Sequence, residues 1–155
     1  MTTTAPLRAA AAEGIRMKTD REVIEGALAL IEADGGWTQG TYCRDAEGVE
    51  VHPVVDSPGD WVRVRTEPGA TPWSFCLQGA LRAAADYWHG GWPHAADELV
   101  YRLECLLLRL ANSAAARSWP SVQAYNDDLR TTKADAVLTL KRAAAHLEAE
   151  EQEQS

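Results

Sequence analysis

The stretch TDREVIEGALALIEADGG, residues 19–36, decides the fold class. Thr19, with Glu22 three residues on, has the spacing of a capping box, in which two orphan backbone N–H groups at a helix start are satisfied reciprocally. Val23, Ile24, Ala27, Leu28 and Ile31 then recur at helical spacing on one face. Gly35 and Gly36 supply the left-handed backbone that a helix exit favours. These signals predict an amphipathic helix over residues 20–33, whose apolar stripe needs other elements to cover it.

Four further segments are expected to supply that cover. A second helix is expected from Ser74, a good cap, to Trp88, with Leu77, Leu81, Ala84 and Trp88 on one stripe. A third, over residues 95–112, carries Asp97 and Glu98 in its first turn, where the helix dipole favours acids. Its apolar residues (Leu99, Val100, Leu103, Leu106, Leu107, Leu110) cover more than one face, as in a central helix with several neighbours. A short helical turn is expected around residues 120–125. The last helix starts at Thr131 or Thr132 and presents Val137, Leu140, Ala144 and Leu147.

Residues 37–72 are irregular and contain Pro53, Pro58, Pro68 and Pro72. Residues 41–44 and 49–55 flank Asp45-Ala46-Glu47-Gly48, a hairpin turn with glycine where a positive φ is needed. The alternating run Trp61-Val62-Arg63-Val64-Arg65-Thr66 reads as a third short strand. The expected architecture is mainly α: a compact bundle of about four helices with a small β-hairpin or three-strand insertion between the first and second. Residues 1–16 read as a flexible leader, 17–148 as one helical domain, and 149–155 as an acidic disordered tail.

Composition narrows the function classes. The 155-residue chain is long enough for one sizeable core. Its net charge of −8 argues against duplex nucleic acid, which needs a basic surface to displace phosphate counterions. No apolar run reaches the roughly 18–20 residues of a membrane span. Cys43, Cys76 and Cys105 are odd in number and widely spaced, a pattern of reducing compartments, so a cytoplasmic location is expected.

Several residues could carry chemistry, and each also has a structural reading. Cys76, in the first turn expected of the second helix, sits where backbone N–H groups would stabilise a thiolate. Equally, it is a small core residue beside Trp73 and Phe75. A thiol enzyme needs a base, and His52, His89, His94 and His146 have no diagnostic spacing to it. His89 and His94 flank a Gly-Gly-Trp-Pro loop without a third ligand, so no metal is expected, and no cofactor motif occurs. The polar cluster Tyr125-Asn126-Asp127-Asp128 suits either a turn or a ligand contact. The six tryptophans sit mostly at element boundaries, either wedging helices apart with their N–H groups on polar partners or lining a groove.

Gly36-Trp37-Thr38-Gln39-Gly40 with Arg44-Asp45-Ala46-Glu47-Gly48, then Phe75-Cys76-Leu77-Gln78-Gly79-Ala80-Leu81, then Tyr125-Asn126-Asp127-Asp128 occur in that order. Together they resemble a group of short proteins of unknown function from actinobacteria and their phages, over about residues 20–147. The resemblance implies a mostly helical single domain and singles out Trp37, Cys76, Gly79, Asn126 and Asp127, with no activity attached.

The expected function is a small binding or regulatory module, of the kind a phage accessory or host-interaction protein provides, rather than an enzyme. Its groove would have Trp37, Tyr42, Arg44, Trp73 and Cys76 on one wall and Asn126 and Asp127 on the other. It would take a small polar ligand or a partner protein. The alternative is a thiol enzyme with Cys76 as nucleophile, His89 or His94 as base and Asp127 orienting it. A homodimer through the broad third helix is a further expectation.

Overall fold

The computed structural model describes residues 18–50, 73–85, 93–115 and 117–154, with residues 93–97 described by their backbone alone. The first helix, α1 (Asp20–Glu32), starts as its signals require. The Glu22 N–H donates to Thr19 Oγ1 at 3.1 Å, and the Thr19 N–H donates to Glu22 Oε1 at 2.9 Å. Val23, Ile24, Ala27 and Ile31 are buried. At the exit Gly35 has φ +68°, and any Cβ on Gly36 would stand 2.1 Å from the Leu30 carbonyl oxygen, so only glycine fits. Lys133 Nζ donates to the Ala33 carbonyl at 2.7 Å and places a cation at the negative end of the helix.

Between α1 and the second helix lie two short antiparallel strands, β1 (Cys43–Arg44) and β2 (Ser74–Phe75), with Cys43 opposite Phe75 and Arg44 opposite Ser74. The expected turn at residues 45–48 is present. The Gly48 N–H donates to the Asp45 carbonyl at 3.0 Å, Gly48 has φ +83°, and Arg44 bridges Glu50 in antiparallel fashion. The partner strand β2 comes from the segment expected to open a helix. The proposed strands at residues 51–55 and 61–66 lie outside the described residues, as do the leader at 1–16, Trp88 and the loop at 89–92.

That pairing moves the start of α2 (Leu77–Ala84). Ser74 is not its cap, because Ser74 and Phe75 are held extended: the Trp73 N–H donates to the Arg44 carbonyl (2.8 Å) and the Phe75 N–H to the Gly36 carbonyl (2.7 Å). Cys76 is the N-cap instead, its sulfur accepting from the Gly79 N–H at 3.2 Å. Leu77, Ala80, Leu81 and Ala84 are buried.

The remaining helices are α3 (Pro93–Ala114), α4 (Val122–Asp127) and α5 (Lys133–Gln154). Helix α3 packs against α5, α4, α2 and α1, which accounts for the width of its apolar surface. Helix α4 is capped by Ser121, whose Oγ accepts from the Ala124 N–H. Helix α5 opens with a reciprocal pair, the Asp135 N–H on Thr132 Oγ1 (3.1 Å) and the Thr132 N–H on Asp135 Oδ2 (2.9 Å). Fraying is expected from Glu148, yet α5 continues to Gln154. Arg21 of α1 reaches Glu148 (3.9 Å) and Glu151 (3.5 Å), setting a cation between charges that would otherwise only repel. Five helices and one two-stranded sheet therefore make up the described residues, and no helix among them is long and apolar enough to cross a membrane.

Helix α2 lies so close to the loop before β1 that a Cβ on Gly79 would stand 2.1 Å from the Tyr42 carbonyl oxygen. Both groups are backbone, so neither can yield without moving an element. Gly79→Ala is expected to lower the unfolding free energy in urea by about 1–3 kcal/mol, the usual cost of overpacking, and to leave the denaturant slope unchanged. Wild-type stability in that variant would mean that the two segments separate freely.

Candidate functional site

Asn126 anchors the candidate site. It lies in the last turn of α4, fully buried, and its carboxamide meets four partners. Oδ1 accepts from Trp37 Nε1 at 2.8 Å and from the Leu77 N–H at 3.0 Å. Nδ2 donates to the Thr38 carbonyl at 3.1 Å and to Asp127 Oδ1 at 3.0 Å. Two lone pairs and two N–H groups are the whole capacity of a carboxamide, and all are used. The group ties the loop after α1, the first residue of α2 and the end of α4 together.

Neighbouring contacts extend the tie. Gln39 Nε2 donates to the carbonyls of Asn126 (2.9 Å) and Asp128 (3.0 Å), the last turn of α4 where orphan acceptors are expected. The Gly40 N–H donates to Asp127 Oδ1 at 2.9 Å, with Gly40 at φ +82°. The Cys76 N–H donates to the Tyr42 carbonyl at 3.1 Å, and the Arg82 guanidinium stands 5.1 Å from the centre of the Tyr42 ring.

A cleft of about 230 Å³ opens beside this network, lined by residues 40–42, Glu50, Cys76, Gln78, Gln123 and Asp127. Of the residues expected to bind, it brings together Tyr42, Cys76 and Asp127. Trp37 and Asn126 stand outside the lining: the Trp37 indole N–H is spent on Asn126, and Asn126 has no exposed surface. Arg44 is also outside it, donating to Thr38 Oγ1 (2.9 Å) and to the carbonyls of Gln39 and Gly48 (3.2 Å each). Trp73 is 57% exposed on the other flank of the loop, its indole nitrogen near Gly35. His89 lies outside the described residues, as does the side chain of His94, and no described histidine lines the cleft. His146 is on α5, paired with Glu150 at 3.4 Å.

Sequence reasoning passed over Gln78 and Gln123, although Gln78 stands inside the Phe75–Leu81 motif. Gln78 Nε2 donates to the Glu104 carboxylate (3.2 and 3.3 Å), whereas its Oε1 is buried without a hydrogen-bond partner among the described residues. Among those residues no group of three or more His, Cys, Asp or Glu side chains could hold a metal.

The two buried thiols, Cys43 and Cys76, are held neutral. Burial pushes Cys76 up to about 11 against the backbone N–H groups of Gly79 and Gln78, which favour the thiolate, and burial likewise pushes Cys43 up to about 12. Helix-start N–H groups thus act on Cys76, but desolvation outweighs them.

Two measurements test this arrangement. Asn126→Ala would strand the Trp37 and Leu77 N–H groups, and the expected loss is about 2–4 kcal/mol of unfolding free energy; retention of wild-type stability would show that water replaces the carboxamide. A thiol whose folded pKa lies above its ordinary value of 9.0 contributes stability that is full below pH 9 and is lost as pH rises through about 11–12. The urea midpoint should therefore drop between pH 9 and 11 more steeply in the wild type than in Cys43→Ala/Cys76→Ala. Parallel curves would show that neither thiol is desolvated.

No curated protein and no solved structure is detectably similar to this chain. A family model, described as "Family of unknown function (DUF6197)", matches residues 16–146, a span that holds α1 to α4, both strands and most of α5. The loop at 36–40, the start of α2 and the Asn126-Asp127 pair that build the cleft all fall within that match, and the chain belongs to the family of unknown function DUF6197.

Proposed function

We propose that the protein is a small binding module whose cleft between the 40–42 loop, α2 and α4 takes a small polar ligand bearing hydrogen-bond donors. The observation that carries the reading is the setting of Asp127. One carboxylate oxygen is fixed by the Gly40 N–H and Asn126 Nδ2, and the other accepts no hydrogen bond among the described residues. A preorganised acceptor in a lining that also holds Tyr42, Glu50 and Gln78 suits an amine or a ligand rich in N–H and O–H groups.

The thiol-enzyme alternative draws less support. Cys76 is 4% exposed, its sulfur is engaged by the Gly79 N–H, and its thiol is neutral at physiological pH. An actinobacterial or actinophage origin, implied by the sequence resemblance, fits a module that engages a host molecule, and a cytoplasmic setting fits the free cysteines.

Native mass spectrometry of the protein purified from its own source, compared with the denatured spectrum, tests the reading. A retained small molecule is expected. Asp127→Asn should lose about 1.5–3 kcal/mol of affinity for it. It should leave helicity and the Gly40 contact intact, because an asparagine oxygen still accepts there. A bare mass for the wild type, or equal retention by Asp127→Asn, would overturn the assignment.

A further inference from the structure

A second and larger cavity shares no lining residue with the Tyr42–Asp127 cleft. It has a volume of about 330 Å³, within the roughly 300–1,000 Å³ range of small-molecule sites. It lies among the end of α3, the links that flank α4, and the first turns of α5. Its apolar wall is formed by Ala111, Ala114 and Leu138, with the ring of Trp119 beside them. The ring is fixed on both sides: Trp119 Nε1 donates to Asp128 Oδ2 at 3.0 Å, and the indole meets Tyr125 edge-on with centroids 4.8 Å apart.

The charge of this cavity runs against that of the chain. A protein of net charge −8 places Arg117, Arg130 and Arg142 around one cavity, with Asp135 as the single acid in the lining. Asp135 is already engaged, one oxygen accepting from the Thr132 N–H at the start of α5. Asp128, behind Trp119, is shared by two of the arginines: Arg130 contacts both of its oxygens at 3.1 Å, and Arg117 reaches Oδ2 at 3.6 Å. Arg142 makes no hydrogen bond or ion pair among the described residues. A guanidinium left over after the local acids are assigned, above an apolar floor, matches an anionic head group on an apolar body. Guanidinium forks pair bidentately with carboxylate and phosphate.

We propose that this cavity binds a small organic anion, a carboxylate or a phosphate monoester carried on a flat apolar body. Arg142 holds the head group, Arg117 and Arg130 frame it, and Trp119 and the α3 alanines contact the body. The site is independent of the ligand proposed for the Tyr42–Asp127 cleft, and either can fail without the other.

The test uses the full chain, ¹⁵N-labelled, titrated separately with phenyl phosphate, benzoate and benzyl alcohol. The Trp119 indole N–H resonance, assigned through Trp119→Phe, is the reporter. At least one anion should shift it saturably below about 20 mM, a weak but specific affinity, and benzyl alcohol should not. Which anion binds more tightly names the head group. Arg142→Gln should weaken binding at least tenfold with an unchanged far-UV CD spectrum, and Arg142→Lys should fall between the two. The proposal is overturned by the absence of a saturable shift with both anions, by an equal shift with benzyl alcohol, or by undiminished affinity in both Arg142 variants.

Discussion

The contacts that join the loop after α1, the start of α2 and the end of α4 lead back to one buried carboxamide. A helix of six residues such as α4 has too few internal hydrogen bonds to persist alone. It is held from outside: Asn126 accepts from Trp37 and Leu77 and donates to Thr38, while Gln39 occupies the carbonyls at its end. Only an amide offers two acceptor and two donor directions from one planar group. An aspartate would present acceptors to the Thr38 carbonyl and to Asp127, and a leucine would leave two N–H groups dry. With Oδ1 committed to both an indole and a helix start, the distance between α2 and α4 is fixed, and with it the width of the cleft.

The start of α2 shows how this constraint compensates for a weak cap. Sulfur is a poor hydrogen-bond acceptor, and Cys76 alone would cap the helix less well than serine. The helix start is completed from elsewhere: the Tyr42 carbonyl takes the Cys76 N–H and Asn126 takes the Leu77 N–H. Close approach of Tyr42 requires Gly79, so the motif residues Cys76, Gly79 and Asn126 form one unit rather than three sites.

How much was legible follows from the range of the forces involved. Helix α1 could be read to within a residue because its cap, stripe and exit are all local signals. Helix α3 could be read as central because the width of an apolar face counts its neighbours. Helix α2 opens later than Ser74 suggests because a serine followed by an apolar run is a cap signal only when nothing else claims the backbone, and strand β1, about thirty residues earlier, claims Ser74 and Phe75. Asn126 could be read as a turn former or a ligand contact, yet it is a buried helical residue, and three of the four partners of its carboxamide lie 49 to 89 residues away. Spacing carries no information on such pairs. The described tryptophans divide accordingly: Trp37 and Trp119 are partly buried and pass their N–H groups to Asn126 and Asp128, as boundary wedges do, while Trp73 stays on the surface.

The pairing of α1 with α5 has a consequence for biosynthesis. Helix α1, the first of the described helices, packs chiefly on α2 and on α5, which begins more than a hundred residues after α1 ends. At the roughly 5–20 residues per second of translation, one flank of α1 stays uncovered for on the order of 5–25 s after it is synthesised. During that interval the part of the Val23, Ile24, Ala27 and Ile31 strip that α5 covers has no lid. Slow codons or a chaperone near the ribosomal exit would therefore act most strongly on this protein through α1, the element whose sequence is easiest to read.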